Sequence, residues 1–224
     1  MSKLEIKSGQ DYGIVFDMDG VIFDTEVIGL EVWQILADKY SLGNIREVGM
    51  KCIGRSTADT MKIFTDAYGD KINIKDMYVE SRKVLRDIIE ERGLPLKSGA
   101  VELLRFLKDK KINVGLASST SYNDVIKNLE RAELIDYFQV IIGGDMVEHS
   151  KPDPEIYLLA CKKLGVNPKN SYAVEDSKNG IISAFKAGMK PILVPDLIEP
   201  TDEMLEMSFR KYSNLLQMLD DIIE

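Results

Sequence analysis

Asp17 and Asp19 stand two residues apart at the end of an apolar run, Tyr12-Gly13-Ile14-Val15-Phe16, and Gly20 follows them. If the run is a buried strand that continues through Met18, both carboxylates project to one side, and the glycine permits a tight turn beyond. Like charges crowded at a strand's carboxyl end are costly unless a cation offsets them. A divalent metal is therefore the first partner this pair asks for, and phosphate is what such a metal commonly holds. Three more clusters fall just after apolar runs. Ser118-Ser119-Thr120-Ser121 follows Val114–Ala117, and small hydroxyls with backbone N–H groups at a helix start suit a phosphate oxygen. Lys151 lies in His149-Ser150-Lys151-Pro152-Asp153-Pro154, where proline starts a helix and the lysine can reach back. Glu175-Asp176 comes directly after Tyr172-Ala173-Val174.

Each cluster has a plainer reading taken alone. Asp17 and Asp19 could be turn acids or a calcium-type group, Ser118 a helix N-cap, and Lys151 a solvated lysine. His149, the only histidine, reads as a loop residue. Asp24 and Glu26 read as structural supports at the start of a helix, and Trp33 as a core residue. Convergence decides between these readings, and convergence depends on the elements that carry the clusters.

The runs at 12–16, 112–117, 140–143, 172–174 and 191–194 read as buried strands. Between them, Ala100, Leu103, Leu104 and Leu107 share one helical face, as do Val125, Ile126, Leu129 and Ala132. Gly188 sits where a glycine closes the helix ending at Ala187, and Ser213–Ile223 reads as a closing amphipathic helix. Alternating strands and helices imply a parallel sheet with helices on both faces, so all four clusters open on one edge. The stretch from Glu26 to Arg92 breaks the alternation. Its apolar residues keep helical spacing throughout, which predicts a helical module inserted after the first strand and ended by Gly93-Leu94-Pro95.

At 224 residues the chain has room for one large domain or a domain with an insert. A net charge of −8 argues against nucleic acid or an anionic membrane surface as partner. No apolar stretch is long enough to span a membrane, and the first residues lack a signal-peptide core. Cys52 and Cys161 match no metal-ligand spacing and read as reduced buried thiols. The expectation is a cytoplasmic monomer acting on a small phosphorylated metabolite, with no nucleic acid and no membrane partner.

The order and spacing of the clusters resemble the haloacid dehalogenase superfamily, in its branch of small phosphatases and β-phosphoglucomutases. The motifs are Asp17-Met-Asp-Gly-Val-Ile-Phe-Asp-Thr-Glu26, Ser150-Lys-Pro-Asp-Pro-Glu-Ile-Tyr157 and Val174-Glu-Asp-Ser-Lys-Asn-Gly-Ile181. The resemblance implies an α/β fold: a Rossmann-like parallel-sheet core, here 1–24 and 93–224, with an all-helical cap, here 25–92. It implies that Asp17 is a nucleophile forming an aspartyl-phosphate and that Asp19 is the general acid and base. It implies Mg2+ held by the Asp17 carboxylate, the Asp19 carbonyl and Asp176, with Glu175 acting through water. Ser118 and Lys151 would bind phosphoryl oxygens, aided by the backbone N–H groups of Met18, Asp19 and Ser119.

Within the cap, Cys52-Ile53-Gly54-Arg55-Ser56-Thr57 resembles the substrate loop of this branch. The mutases usually carry an arginine three residues after the loop glycine and a histidine ten residues after the second aspartate. Here those places hold Thr57 and Gly29, and Arg55 directly follows Gly54. Arg82 and Lys83 are further cations that could serve a second phosphate. The departures favour a Mg2+-dependent phosphatase of a sugar phosphate, with β-phosphoglucomutase as the alternative. A receiver-like phosphoacceptor module is the reading from another class, but it needs neither a cap nor an acid–base Asp19.

Overall fold

The computed structural model describes residues 4, 11–43, 45–52, 57–69 and 72–223. Strand β1 (Gly13–Phe16) leads into four helices, α1 (Thr25–Tyr40), α2 (Arg46–Cys52), α3 (Thr57–Tyr68) and α4 (Ile74–Arg92). The alternating part follows: α5 (Ala100–Asp109), β2 (Asn113–Ala117), α6 (Tyr122–Arg131), β3 (Val140–Ile142), α7 (Glu155–Leu164) and β4 (Tyr172–Glu175). It closes with α8 (Lys178–Lys186), β5 (Lys190–Leu193), α9 (Asp202–Met207), β6 (Arg210–Lys211) and α10 (Leu215–Ile223).

The chain divides into two compact units, Met1–Asp24 with Pro95–Glu224, and Thr25–Leu94. In the first, the strands form one parallel sheet in the order β3-β2-β1-β4-β5-β6. From β1 the chain steps outward to β2 and β3, then returns to lay β4 on the other side of β1. That reversal places a crevice at the carboxyl ends of β1 and β4, the position where open α/β sheets bind ligands. Ile14, Val15 and Phe16 of β1 are all fully buried, as a central strand covered on both faces requires. On one face, Ile156, Tyr157, Ala160 and Cys161 of α7 pack with Ala184 of α8 against Val15, Ala117, Ile142 and Ala173. Helix α5 buries Leu103, Leu104 and Leu107 completely, each burial contributing about 1.5–3 kcal/mol.

Three sequence expectations need correction here. Strand β6 was not foreseen: Phe209-Arg210-Lys211-Tyr212 is short and charged, as an edge strand often is. The closing helix begins at Leu215 rather than Ser213, because Asn214 accepts the Gln217 N–H at 2.9 Å and caps it. Gly93 and Leu94, expected in the core, belong to the helical unit. Gly93 adopts a φ of 75° and donates to Ile89 at the end of α4, and Leu94 packs into the helical unit's own core.

That core comprises Ile28, Val32, Leu36 and Ala37 of α1 with Phe64 of α3 and Ile74, Met77 and Ile88 of α4. Trp33 stacks at 4.5 Å on Phe64 and joins it, as its helical spacing predicts. Ion pairs from Arg92 to Glu31 and from Lys39 to Glu80 tie α1 to α4, and Tyr40 donates to Glu80 at 2.6 Å. No helix among the described residues is long and apolar enough to cross a membrane.

Candidate active site

Asp17 extends β1 by one residue: its N–H donates to the Val174 carbonyl of β4 at 2.9 Å. The chain then turns sharply. Gly20, at a φ of 76°, donates to the Phe23 carbonyl, while Ile22 and Phe23 donate back to the Met18 carbonyl. A Cβ at Gly20 would lie 2.2 Å from Asp176 Oδ2, so the turn works only with a residue that has none. Sequence adjacency of glycine and acid thus becomes a close approach between the β1 and β4 ends.

Lys151 stands at the centre of this crevice with its side chain only 6% exposed. Its ammonium donates to Asp17 Oδ1 at 2.7 Å, Glu175 Oε1 at 2.7 Å and the Ala117 carbonyl at 3.0 Å. An ammonium has three protons, and all three are engaged. Glu175 is fully buried at the end of β4. Besides Lys151, its Oε1 accepts from the Tyr157 hydroxyl at 2.6 Å, and its Oε2 from Ser177 Oγ at 3.1 Å. Helix α8 begins against this carboxylate: a Cβ on Gly180 would stand 1.9 Å from Glu175 Oε2.

The third strand end supplies hydroxyls. Ser118 is buried after β2, donates to Asp19 Oδ2 at 3.2 Å and accepts the Thr120 N–H at 3.0 Å. Thr120 Oγ1 also donates to Asp19 Oδ2, at 3.0 Å. The N-cap role considered for Ser118 belongs to Ser121, whose side chain accepts the Asp124 N–H at the start of α6. Ser119 is exposed beside this turn.

Four carboxylates (Asp17, Asp19, Glu175, Asp176) face one ammonium, and the electrostatics follow from that imbalance. Burial, reinforced by Glu175 and Asp19, pushes the Asp17 carboxyl up to about 7 even though Lys151 pulls it the other way. Burial, then the Glu175 and Asp17 charges, drive Asp176 well above the usual carboxylate range. For Lys151, burial would lower the ammonium, but the Asp17 and Glu175 carboxylates override it and hold the lysine charged. The cluster therefore retains a proton near neutrality as a group. Oxygens of Asp17, Glu175 and Asp176 all lie within 4.8 Å of one another. Hard, anionic oxygen donors with uncompensated charge are what a divalent cation of the Mg2+ type binds.

The residues expected to converge do so for Asp17, Asp19, Ser118, Lys151, Glu175 and Asp176, which come from β1, β2, β4 and the turn before α7. Met18 buries its side chain beneath the turn. Gly54 and Arg55 lie outside the described residues; Thr57 opens α3, and Arg82 and Lys83 are exposed on α4. His149 is exposed in the loop before α7, and its backbone N–H donates to Glu155. Asp24 pairs with Lys97 at 3.6 Å, and Lys97 with Asp196 at 2.6 Å, a supporting group fitting the structural reading of Asp24. The sequence does not single out Tyr157, Gly180, Lys97 or Asp196, and it places Thr120 in the hydroxyl cluster without its bond to Asp19. Tyr157 and Gly180 sit inside the quoted motifs, but nothing in one sequence says that a tyrosine on a helix touches a strand-end glutamate.

Residues 14–194 match the family model of haloacid dehalogenase-like hydrolases. The chain is 33% identical over 183 residues to a phosphorylated carbohydrates phosphatase of Thermotoga maritima, covering 80% of this chain and 82% of the relative. It is 30% identical over 213 residues to the β-phosphoglucomutase of Bacillus subtilis, covering 87% and 92%. A Thermotoga maritima crystal structure, provisionally assigned as a β-phosphoglucomutase, superposes with a TM-score of 0.79 at 29% identity, over 94% of this chain and 97% of that one. The Rossmann-like sheet, the inserted helices and these matches agree, and the chain belongs to the haloacid dehalogenase-like hydrolases, in the branch that includes sugar-phosphate phosphatases and β-phosphoglucomutases.

Proposed function

We propose that this protein is a Mg2+-dependent phosphatase that hydrolyses a small phosphorylated metabolite, of the sugar-phosphate class, through an aspartyl-phosphate. The observation that carries the reading is Lys151 joined to Asp17 and Glu175 at 2.7 Å in a crevice that Asp19, Ser118 and Asp176 also line. The clustered oxygens of Asp17, Glu175 and Asp176 suit Mg2+; Asp17, Asp176 and the Asp19 carbonyl would hold it, with Glu175 acting through water. When bound, it neutralises charge on the transferring phosphoryl group.

The remaining chemistry falls to the chain itself. A carboxylate oxygen of Asp17 attacks phosphorus, and the ester oxygen leaves with a proton from Asp19. Asp19 then takes a proton from water as that water displaces Asp17 and releases inorganic phosphate. The Thr120 hydroxyl fixes the orientation of the Asp19 carboxyl for both transfers, and Ser118 shares that task until substrate arrives. Lys151 stabilises the phosphoryl oxygens by exchanging one of its protein acceptors for them, and Ser118 joins it by turning its single proton from Asp19 to the substrate. Backbone N–H groups of Met18, Asp19 and Ser119 would complete the phosphate cradle; the family resemblance assigns Gly54, Arg55 and Thr57 to substrate selection.

β-Phosphoglucomutase is the second reading, supported by the Bacillus subtilis relative. Against it stand Thr57 and Gly29. A Cβ at Gly29 would meet nothing within 4 Å, so the backbone there does not demand a glycine. Purified protein with Mg2+, offered a panel of phosphorylated metabolites, is expected to release free phosphate. Chelation or Asp17→Asn should abolish that release, by about four orders of magnitude or more for the substitution. Conversion of β-glucose 1-phosphate to glucose 6-phosphate with little phosphate freed would establish the mutase instead. Absence of any metal-dependent turnover would favour a phosphoacceptor module.

A further inference from the structure

Tyr157 takes no part in the chemistry above, yet it touches both charged groups at the centre of the crevice. It sits in the first turn of α7 and is fully buried. Its hydroxyl donates at 2.6 Å to Glu175 Oε1, the same oxygen that Lys151 reaches at 2.7 Å. Its ring centroid lies 5.0 Å from the Lys151 ammonium. A phenylalanine would fill the same apolar space among Ile156, Ala160 and Ala173, so packing alone does not call for the hydroxyl.

A carboxylate oxygen that accepts two charge-assisted bonds divides its negative charge between the donors. Lys151 in turn divides its protons among Asp17 Oδ1, the Ala117 carbonyl and Glu175 Oε1. If Lys151 were the only donor on Glu175 Oε1, that pairing would tighten and draw the ammonium away from Asp17. The ammonium is useful to phosphoryl transfer only on the Asp17 side, where the phosphoryl oxygens arrive. We propose that Tyr157 is a positioning residue: by occupying Glu175 Oε1, its hydroxyl keeps Lys151 turned toward Asp17 and the transferring phosphoryl group. This deepens the phosphatase reading and rests on it.

The test compares wild type with Tyr157→Phe, which keeps the ring over Lys151 and removes only the hydroxyl. On the best substrate of the panel, kcat is expected to fall about tenfold with KM changed less than twofold, the pattern of an interaction that matters in the transition state. The thermal midpoint should stay within a few degrees. In a Glu175→Gln background, Tyr157→Phe should change kcat less than twofold, because its route through the carboxylate is gone. A purely structural hydroxyl would lower the thermal midpoint and leave kcat alone, and that result would overturn the proposal. So would a full tenfold loss in the Glu175→Gln background. The 15N resonance of the Lys151 ammonium gives a readout that needs no turnover. It should shift on Tyr157→Phe, and an unmoved resonance would also overturn the proposal. A wild type inactive on every phosphorylated substrate would defeat the phosphatase reading, an outcome separate from the behaviour of that resonance.

Discussion

Asp17 is a carboxylate whose surroundings oppose its charge, apart from one lysine. Burial and two neighbouring acids move it from the ordinary 3.8 up to about 7. The direction fixes how stability and metal binding respond to pH. A carboxyl whose folded value is raised favours folding most below its unfolded value, and that contribution is lost as pH rises through the folded one. The metal-free protein should therefore lose stability between about pH 4 and pH 7 on account of this group. Mg2+ competes with the protons that Asp17 and Asp176 retain, so its apparent affinity should climb with pH through about 7. Calorimetric titration with Mg2+ at several pH values, in buffers of different ionisation enthalpy, would show proton release on the acid side. An affinity independent of pH from 5 to 8 would contradict it. The single residues that announce the site were readable from type and position: an acid pair before a glycine, a lysine before a proline, an acid pair ending a strand. The bonds they accept from Tyr157 and Thr120 were not, because a hydrogen bond across 18 or 101 residues leaves no local pattern.

At the scale of elements, the strand ends hold the chemistry and the helix starts press against it. Helix α8 begins with Ser177 as its N-cap and brings Gly180 against the Glu175 carboxylate. That carboxylate is fully buried and held by Lys151, Tyr157 and Ser177, so it has no room to retreat from a methyl group. Gly180→Ala should destabilise the fold by about 1–3 kcal/mol, as overpacking does. It should also lower kcat by roughly tenfold or more, because displacing Glu175 misplaces Lys151. Denaturant midpoints and initial rates measure both effects, and a variant with wild-type values of each would show that the contact has slack. Five of the six strands were legible as apolar runs, since a strand buried on both faces has little choice of residue. Strand β6 was not, because an edge strand of two charged residues carries no such constraint.

At the scale of the whole molecule, the first unit is interrupted by the second, and backbone hydrogen bonds close the interruption, among them Lys97 N–H to the Ile22 carbonyl at 2.9 Å. The Asp24 N–H donates to the Pro95 carbonyl at 2.8 Å, so the chain leaves and re-enters the first unit at adjacent points. Phe23 bridges to Leu96 in the same place, and Lys97 joins Asp24 to Asp196. Replacing Thr25–Leu94 with a short glycine-serine linker should therefore leave a sheet unit that still unfolds cooperatively. Circular dichroism through a thermal transition checks this, and a broad, non-cooperative melt would mean that the helical unit is needed for the first to fold.

By itself, the sequence determined the fold class, the insertion point and the acids, hydroxyl and lysine of the crevice. These depend on local constraints: apolar periodicity, a glycine where the backbone must turn, and charges placed at strand ends. Tertiary structure alone decided which groups share protons. It joined Lys151 to Glu175 as well as Asp17, placed Tyr157 on that same glutamate, and set Gly20 and Gly180 against the Asp176 and Glu175 carboxylates. Such contacts come from the return of β4 to the side of β1 after two strands on the other flank. That order is set by the packing of the complete sheet, and no window of the chain encodes it.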